Sequence, residues 1–231
     1  MSGVPERPPQ LQTPRTSQRH HGCGSGAELW LLRHAEVHED WQGKAYGDLD
    51  VGLSESGLAR TSEFAASFHG RDASCILASP LQRARLLGEA LGETLQSQVQ
   101  FDPDLREIHR GTWQGRTVDE LHGELETEVQ AFYADPWNYR GHEGENDSML
   151  SARAWPAIEN ALRSSDGRPV YVATHYNVIR VLIADALGIP SQDSFRLRID
   201  TGRAALLIDG ERGWRLRRSN VTGPPSEEPE H

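Results

Sequence analysis

Two histidines in this chain each stand directly after an apolar run. His34 follows the run 29–33, and His175 follows the run 170–174. Both runs have the length and the β-branched or aromatic content of buried strands in a parallel sheet, where ligands bind beyond the carboxyl ends. The sequence therefore predicts that both imidazoles lie at the sheet edge where an α/β enzyme does its chemistry.

Two arginines near these histidines indicate that the ligand is an anion. Arg33 precedes the first histidine, and Arg83 begins a predicted helix after a third short strand. A neutral imidazole is a good nucleophile towards phosphorus. Phosphoryl transfer also needs charge stabilisation on three oxygens, which two arginines and a second histidine supply without a metal. A carboxyl group such as that of Glu107 would protonate the leaving oxygen and then deprotonate the attacking water.

The order of strands and helices indicates how these residues are positioned. The predicted strands are 28–33, 75–78, 98–101 and 169–174, with edge strands at 195–200, 203–208 and 213–218. The predicted helices are 55–68, 80–95, 117–134, 147–164 and 176–187. Because strands alternate with helices, we expect an α/β fold, a three-layer α/β/α sandwich with a mostly parallel central sheet.

Local signals predict where two of these helices begin. Ser54 has the features of an N-cap, with Glu55 in the first turn that follows it. Ser79 and Pro80 are typical of the N-cap and first residue of the next helix. That start would direct Arg83, in the first turn, back towards the edge of the sheet.

Length and composition indicate one domain between two tails. A chain of 231 residues is long enough to bury a substantial core. The segments 1–27 and 221–231 are polar and rich in proline, so we expect disordered tails around a domain at 28–220. Within this domain, a cap region at about 116–150 is expected to select the substrate.

The charge and the apolar pattern narrow the class of partner. A net charge of −10 disfavours nucleic acid and anionic membranes as partners, and a small phosphorylated metabolite remains compatible with locally clustered arginines. The sequence has no run that approaches a membrane span or a secretory signal, and it has only two cysteines, so we expect a cytoplasmic protein. The basic stretch near the C-terminus is expected to be a solvated sheet face. Its members are Arg196, Arg198, Arg203, Arg212, Arg215, Arg217 and Arg218.

Short blocks of the sequence resemble, in their order, the histidine phosphatase superfamily, which is phosphoglycerate mutase-like. The blocks are 32–36 (Leu-Arg-His-Ala-Glu), 47–54, 79–84, 105–115, 144–146 and 174–180. The resemblance covers about 28–190, and it implies that the catalytic residues are His34 as the phosphate-accepting nucleophile, Glu107 as the proton donor and His175. It also implies that Arg33, Arg83 and His175 bind the transferring phosphoryl group, with no metal and no other cofactor.

The sequence departs from the family's pattern at several positions near the site. Ala35 stands where glycine is usual, which is a small change that we expect to be tolerated. Asp40 stands where many members have an asparagine that touches phosphate, and a carboxylate would repel the anion. Tyr176 replaces a common glycine and is expected to narrow the pocket. Gln114 and Leu87 replace a frequent glutamate and threonine, so the resemblance implies a divergent member with an unchanged chemical core.

Other chemical residues have competing interpretations. Glu145 either assists phosphate binding or pairs with an arginine. Arg180 is expected to be a structural ion-pair partner, and Trp113 is expected to pack its loop. His34 and His38 are four positions apart, but the first ends a strand, so the helical face that a metal site of this spacing uses is not assured.

The sequence therefore predicts a metal-independent phosphatase that hydrolyses a small phosphomonoester through a phosphohistidine on His34. One alternative is a cofactor-dependent phosphoglycerate mutase, which shares the core but typically carries a longer insertion between Glu107 and His175. A second alternative is a non-catalytic scaffold of the same fold that binds a phosphorylated ligand. The presence of all five core residues favours an enzyme.

Overall fold

A six-stranded sheet runs through the middle of the protein. The computed structural model describes residues 26–225. The strands are β1 (Glu28–Arg33), β2 (Cys75–Ala78), β3 (Val99–Phe101), β4 (Val170–Thr174), β5 (Ala204–Gly210) and β6 (Gly213–Val221). The helices are α1 (Glu55–Ala66), α2 (Gln82–Leu95), α3 (Val118–Glu124), α4 (Glu126–Ala134), α5 (Asp147–Arg163) and α6 (Tyr176–Leu187).

The strand order places the two predicted histidine-bearing strands side by side. The order is β3-β2-β4-β1-β5-β6. The pairs β1–β4, β2–β4 and β2–β3 are parallel, whereas β1–β5 and β5–β6 are antiparallel. Arg33 is in register with Thr174, so the residues that follow them leave the sheet together. The predicted mostly parallel sheet is confirmed.

Helices cover both faces of this sheet, because successive side chains of a strand point to opposite faces. Leu29 and Leu31 of β1 pack in a core with α5 and α6. Trp30 and Leu32, which alternate with them, pack in a second core with α1 and α2. The predicted three-layer α/β/α architecture is therefore confirmed.

The predicted single helix at 117–134 is wrong. Two helices, α3 and α4, occupy this segment, and Leu125 between them has a non-helical backbone (φ −124°, ψ 31°). Leu125 packs against a small apolar cluster that includes Trp113 and Phe132. The break lets both short helices present apolar residues to this cluster, so packing overrides the continuous helical pattern.

The start of the helix that carries Arg83 also differs from the prediction. Helix α2 begins at Gln82 with Leu81 as its N-cap, and Ser79 lies before the cap. The Ser79 hydroxyl accepts a hydrogen bond from the Leu81 amide and forms another with His175. By contrast, the predicted N-cap at Ser54 is confirmed, because its hydroxyl accepts from the amide of Gly57.

The segment before β5 is not the predicted edge strand at 195–200. A 3-10 helix spans Ser191–Arg196, and the chain after it has no strand pairing within the part that the structure describes. Ser194 in this helix is buried and accepts a hydrogen bond from Arg180. This buried polar contact fixes the 3-10 helix, whose last two residues are the first two of the predicted strand.

The last three arginines of the basic stretch lie on β6, at the outer edge of the sheet. Arg215, Arg217 and Arg218 of β6 are exposed, whereas Trp214 is buried. The solvated sheet face that the sequence predicts is therefore confirmed for these arginines. No helix within residues 26–225 is long and apolar enough to cross a membrane.

The described residues extend slightly into both expected tails. Ala27 is fully buried, and β6 continues to Val221. Both positions belong to the sheet region because their side chains pack against its cores. The rest of the expected tails, 1–25 and 226–231, lies outside the described residues.

Candidate active site

The two histidines meet at the carboxyl edge of the sheet, as the sequence predicts. His34 follows β1, His175 follows β4, and their ring centroids are 5.2 Å apart. His34 is 2% exposed and His175 is fully buried. The parallel register of β1 and β4 thus brings together two residues that are far apart in the chain.

A main-chain contact defines the tautomer of His34. Its Nδ1 lies 2.7 Å from the carbonyl oxygen of Ala35. Because a carbonyl can only accept, Nδ1 must carry the proton in the neutral ring. The other nitrogen, Nε2, then has a free lone pair, which is the state that a nucleophile needs.

His175 forms a hydrogen bond with Ser79, which the sequence predicts to be the N-cap of a helix. Its Nε2 lies 2.8 Å from the Ser79 hydroxyl. Its Nδ1 is buried and has no hydrogen-bond partner among residues 26–225. One nitrogen is therefore used to orient the ring, and the other is available to a ligand.

Main-chain carbonyls hold both predicted phosphate-binding arginines. Arg83 is fully buried and donates to the carbonyls of Leu49 (2.7 Å) and Gly47 (2.8 Å). Arg33 donates to the carbonyl of Ile199 (2.6 Å). Neither forms an ion pair within 4.0 Å in the described part of the chain. Their positive charges are therefore not neutralised by a contacting carboxylate.

These residues leave a group of unpaired hydrogen-bonding atoms near His34. The Nε atoms of Arg33 and Arg83 are both buried and have no partner between residues 26 and 225, as is also true of Nδ1 of His175. Buried polar atoms without a partner are costly, so they point to a ligand that completes them. Donors of this kind fit a phosphoryl group, whose oxygens only accept.

Charge and burial keep both histidines neutral. Burial lowers the pKa of His34 well below its usual value, and the positive charges of Arg83 and Arg33 lower it further. Burial also lowers the pKa of His175, with the charge of Arg83 as the next cause. A neutral His34 is the nucleophilic form, so the two positive charges favour the protonation state that a nucleophile needs.

Glu107 lies at the wall of the same pocket, with both carboxylate oxygens held. One oxygen accepts from the amide of Ile108 (2.8 Å). The other accepts from the amide and the side chain of Asn177 (3.2 and 3.3 Å). Because Asn177 belongs to the first turn of α6, Glu107 is tied to the helix that begins beside His175.

A second carboxylate, Glu145, supports the loop that carries Glu107. Both oxygens of Glu145 pair with the guanidinium of Arg153 (2.8 and 2.9 Å), and one also accepts from the amide of His109. Arg153 donates in turn to the carbonyl of Glu107. Of the two interpretations of Glu145, the arginine pair is the one observed.

One glycine in this loop is required by close packing. Gly111 has a φ of +53°, and a Cβ built there would lie 1.9 Å from the carbonyl oxygen of His142. Trp113, two positions further on, is 4% exposed and packs against Phe132. The expected packing role of Trp113 is confirmed, although its ring also lines the pocket.

The pocket has a volume of about 240 Å³, and its lining combines polar residues that follow the sheet strands with mostly apolar residues of the cap region, where Lys44 and His122 also line it. We call these two groups of residues its polar end and its cap end. Arg33, His34 and Glu107 form the polar end. Apolar residues of the cap region form the cap end; they are Val118, Leu121, Val129, Phe132 and Tyr133. A ligand would therefore place its phosphoryl group at the sheet edge and the rest of the molecule against the cap.

The departures from the family pattern have different positions in the structure. Tyr176 lines the pocket, and the Arg33 guanidinium carbon lies 5.1 Å from its ring centroid, as expected for a residue that narrows the site. Asp40 lies outside this pocket, with its side chain 81% exposed and 3.2 Å from His38. The side chain of His38 is 54% exposed. Among residues 26–225, no group of three or more histidine, cysteine or acidic side chains is placed so that it could hold a metal ion.

Three residues of the pocket were missed by the sequence reasoning. Tyr46 is half-buried, with its ring centroid 5.1 Å from the Arg83 guanidinium carbon. Arg110 and Asn177 share a hydrogen bond of 3.0 Å at the wall beyond Glu107. Of these three residues, only Asn177 could have been identified from the sequence as a pocket residue. It lies two positions after His175, in the first turn of the predicted helix 176–187.

A buried ion pair lies directly behind this wall. The Arg180 guanidinium donates two hydrogen bonds of 2.7 Å to the carboxylate of Asp147, and both side chains are fully buried. Arg180 also donates to Ser194 and to the side-chain oxygen of Asn177. The predicted structural role of Arg180 is confirmed, and its hydrogen bond to Asn177 connects the ion pair to the pocket wall.

We expect the protein to lose stability steeply in mild acid. Burial is the main cause that lowers the pKa of His34, His175 and His142, the last to about 4. Their neutral folded forms bind no proton, whereas each unfolded side chain binds one as pH falls through about 6.5. The free energy of unfolding should therefore fall by about 4 kcal/mol between pH 7.5 and pH 5.5, measured by urea unfolding in phosphate-free buffer.

A matched variant tests the source of this slope. The change His142→Asn removes one of the three buried rings and keeps a side-chain acceptor for the amide of Gly144. It should reduce the loss between the two pH values by about one third. An unfolding free energy that is the same at both pH values would contradict the assignment of three neutral buried histidines.

Comparisons with known proteins agree with this geometry. Residues 29–222 match the histidine phosphatase superfamily (branch 1). The chain is 26% identical over 175 residues to the adenosylcobalamin/alpha-ribazole phosphatase of Escherichia coli (strain K12), an alignment that covers 75% of this chain and 86% of the relative. It is also 26% identical over 172 residues to a protein of Erwinia tasmaniensis named "probable phosphoglycerate mutase GpmB", with 74% and 80% covered.

A solved structure shows the same fold. The native structure of a mycobacterial glucosyl-3-phosphoglycerate phosphatase superposes with a TM-score of 0.76 at 28% identity, covering 84% of this chain and 99% of that one. The family and the phosphatases among its members confirm the predicted fold and the predicted enzyme class, a phosphatase. The chain belongs to the histidine phosphatase superfamily, branch 1.

Proposed function

We propose that this protein hydrolyses a small phosphomonoester through a phosphohistidine on His34. The observation that carries the proposal is the set of unpaired buried nitrogens around this ring, on Arg33, Arg83 and His175. Each of these nitrogens can donate a hydrogen bond to an oxygen of a phosphoryl group bound beside His34. The free lone pair on Nε2 of His34 supports the same assignment.

The first half of the reaction transfers the phosphoryl group to the enzyme. Nε2 of His34 forms a bond to phosphorus while the bond from phosphorus to the ester oxygen breaks. Arg33, Arg83 and His175 stabilise the charge on the three remaining oxygens. Glu107 gives its proton to the departing alkoxide, which leaves as an alcohol.

The second half releases inorganic phosphate. Glu107, now ionised, takes a proton from a water molecule as the water attacks the phosphohistidine, and the bond between nitrogen and phosphorus breaks. His34 regains its neutral state with a lone pair on Nε2. The hydrogen bonds from Ile108 and Asn177 keep the Glu107 carboxylate in one place through both steps.

The role of Glu107 predicts a dependence on the leaving group. Glu107→Gln removes the proton donor, so hydrolysis of an alkyl ester such as glycerol 3-phosphate should slow by about 10²- to 10⁴-fold. An aryl ester such as p-nitrophenyl phosphate leaves without full protonation and should slow much less. Phosphate release from both esters, measured for the variant and the natural protein, gives the comparison.

A control variant separates this effect from a general loss of charge. Glu93→Gln changes an exposed carboxylate on α2 and should leave both rates unchanged. Equal slowing of the alkyl and the aryl ester in Glu107→Gln would remove Glu107 from the proton-donor role.

A phosphoglycerate mutase is the second candidate function. The similarity to a protein named as a probable phosphoglycerate mutase supports this candidate. A mutase would return the phosphoryl group to a substrate hydroxyl instead of water. Interconversion of 2- and 3-phosphoglycerate without phosphate release would establish the mutase and exclude hydrolysis as the main reaction.

The small phosphorylated partner and the cytoplasmic location also remain proposals. The pocket volume of about 240 Å³ supports a small substrate. The presence of only two cysteines in 231 residues supports a reducing compartment.

A further inference from the structure

Arg110 is the one pocket arginine to which the proposed reaction gives no role. It lies three positions after Glu107, at the wall between the polar end and the cap end of the pocket. One terminal nitrogen, Nη2, donates to Asn177 (3.0 Å). The other, Nη1, is buried and has no hydrogen-bond partner in the described chain from 26 to 225.

The surroundings of Arg110 do not neutralise its charge by contact. The face of its guanidinium lies on Phe132, with 4.9 Å between the guanidinium carbon and the ring centroid. The nearby carboxylate of Asp147 is paired with Arg180, and that of Glu107 accepts from main-chain and Asn177 donors. Burial lowers the pKa of Arg110, the direction expected for a cation that has lost water.

Arg110 lies on the leaving-group side of the site. The charges that act on His34 are those of Arg83 and Arg33. Arg110 instead donates to Asn177, whose side chain donates to Glu107, and it stacks on Phe132 of α4 in the cap region. Because Glu107 is the proposed donor to the leaving oxygen, a group carried by the alcohol portion of the substrate would reach Arg110.

We propose that Arg110 forms a second anion subsite, which binds a carboxylate or phosphate group on the alcohol portion of the substrate. This inference rests on the proposed phosphatase function, because it takes the position of the phosphoryl group from it. An anionic oxygen there would complete Nη1 and offset the cost of leaving this buried nitrogen without a partner. The substrate class is then a phosphate ester whose alcohol portion carries a second anionic group, in addition to the phosphoryl group that is transferred.

Binding affinities test the subsite without depending on turnover. All proteins carry His34→Ala, and isothermal titration calorimetry compares 3-phosphoglycerate with glycerol 3-phosphate, in which a hydroxymethyl group replaces the carboxylate. A second pair, fructose 1,6-bisphosphate and fructose 6-phosphate, makes the same comparison for a phosphate. We expect the doubly anionic member of at least one pair to bind about 30-fold more tightly, and the successful pair identifies the anion.

Variants at position 110 assign this preference to the guanidinium. Arg110→Gln should reduce the affinity ratio to about 3-fold or less, and Arg110→Lys should keep part of it. Arg85→Gln is the matched control, because Arg85 is half-exposed on α2 and pairs with Glu89. It should leave the ratio unchanged. A partly unfolded variant would lower the measured number of binding sites without changing the ratio.

Three results would overturn the proposal. The first is an affinity ratio near one for both pairs in the protein with Arg110. The second is a ratio that Arg110→Gln leaves unchanged. The third is an equal loss of affinity for inorganic phosphate in Arg110→Gln, which would place Arg110 at the transferring phosphoryl group. Failure of the proposed hydrolysis is a separate result, since it is read from phosphate release by the protein with His34 intact.

Discussion

Replacing His34 with alanine is expected to abolish the phosphoenzyme and to reduce phosphate release by about 10⁴-fold or more. The variant keeps Arg33, Arg83 and His175, so it should still bind phosphate, but no atom remains to accept the phosphoryl group. The measurement is rapid mixing with a ³²P-labelled ester followed by an acid or base quench. A phosphohistidine is labile in acid and stable in base, which distinguishes it from a phosphoserine.

A matched histidine provides the control for this experiment. His69 follows α1 and is exposed, so His69→Ala should form the labelled protein at the natural rate. Circular dichroism should show that both variants are folded. A label that persists in His34→Ala would place the acceptor elsewhere, and the absence of any label from a broad panel of esters would favour a non-catalytic scaffold.

The second large effect is expected on stability, at the ion pair behind the pocket wall. Asp147→Ala leaves the Arg180 guanidinium fully buried without its carboxylate. Breaking such a pair typically costs about 3–5 kcal/mol, because the remaining charge has neither water nor a counter-ion. Urea unfolding at pH 7.5 should show this loss as a lower midpoint.

Two further variants separate the pair from its surroundings. Glu89→Ala removes the partner of Arg85 in a half-exposed pair on α2 and should cost less than about 0.5 kcal/mol. The double variant Asp147→Leu with Arg180→Met removes both charges and should be more stable than Asp147→Ala alone. A double variant no more stable than Asp147→Ala would show that the loss comes from packing or from the lost hydrogen bond between Ser191 and Asp147 instead of the unpaired charge.

Much of the fold and the chemical centre could be predicted because the signals are local. An apolar run followed by His34 or His175 specifies a strand and the residue at its end, and the parallel register then brings both rings together. Arg33 and Arg83 follow from the same logic, since each is adjacent to a strand end or a helix start. These positions depend on backbone geometry that a short stretch of sequence largely determines.

The errors and omissions depend on contacts between distant segments. The apolar pattern at 117–134 is compatible with one continuous helix. The break at Leu125 is explained only by the packing of both short helices against the apolar cluster around Trp113. Ser79 has the sequence features of an N-cap, but the structure gives its hydroxyl to His175. Arg110 resembles any loop arginine until Asn177 and Phe132, which are remote in sequence, are placed against it.

The main-chain partner of His34 has a consequence for how this site can vary. The acceptor that sets its tautomer is the carbonyl of Ala35, an atom that every amino acid possesses. No substitution of a side chain can delete it, in contrast to enzymes in which an aspartate orients the catalytic histidine. The tautomer is thus robust to mutation at position 35 for as long as the local backbone keeps its path, and an alanine there in place of glycine carries no chemical penalty.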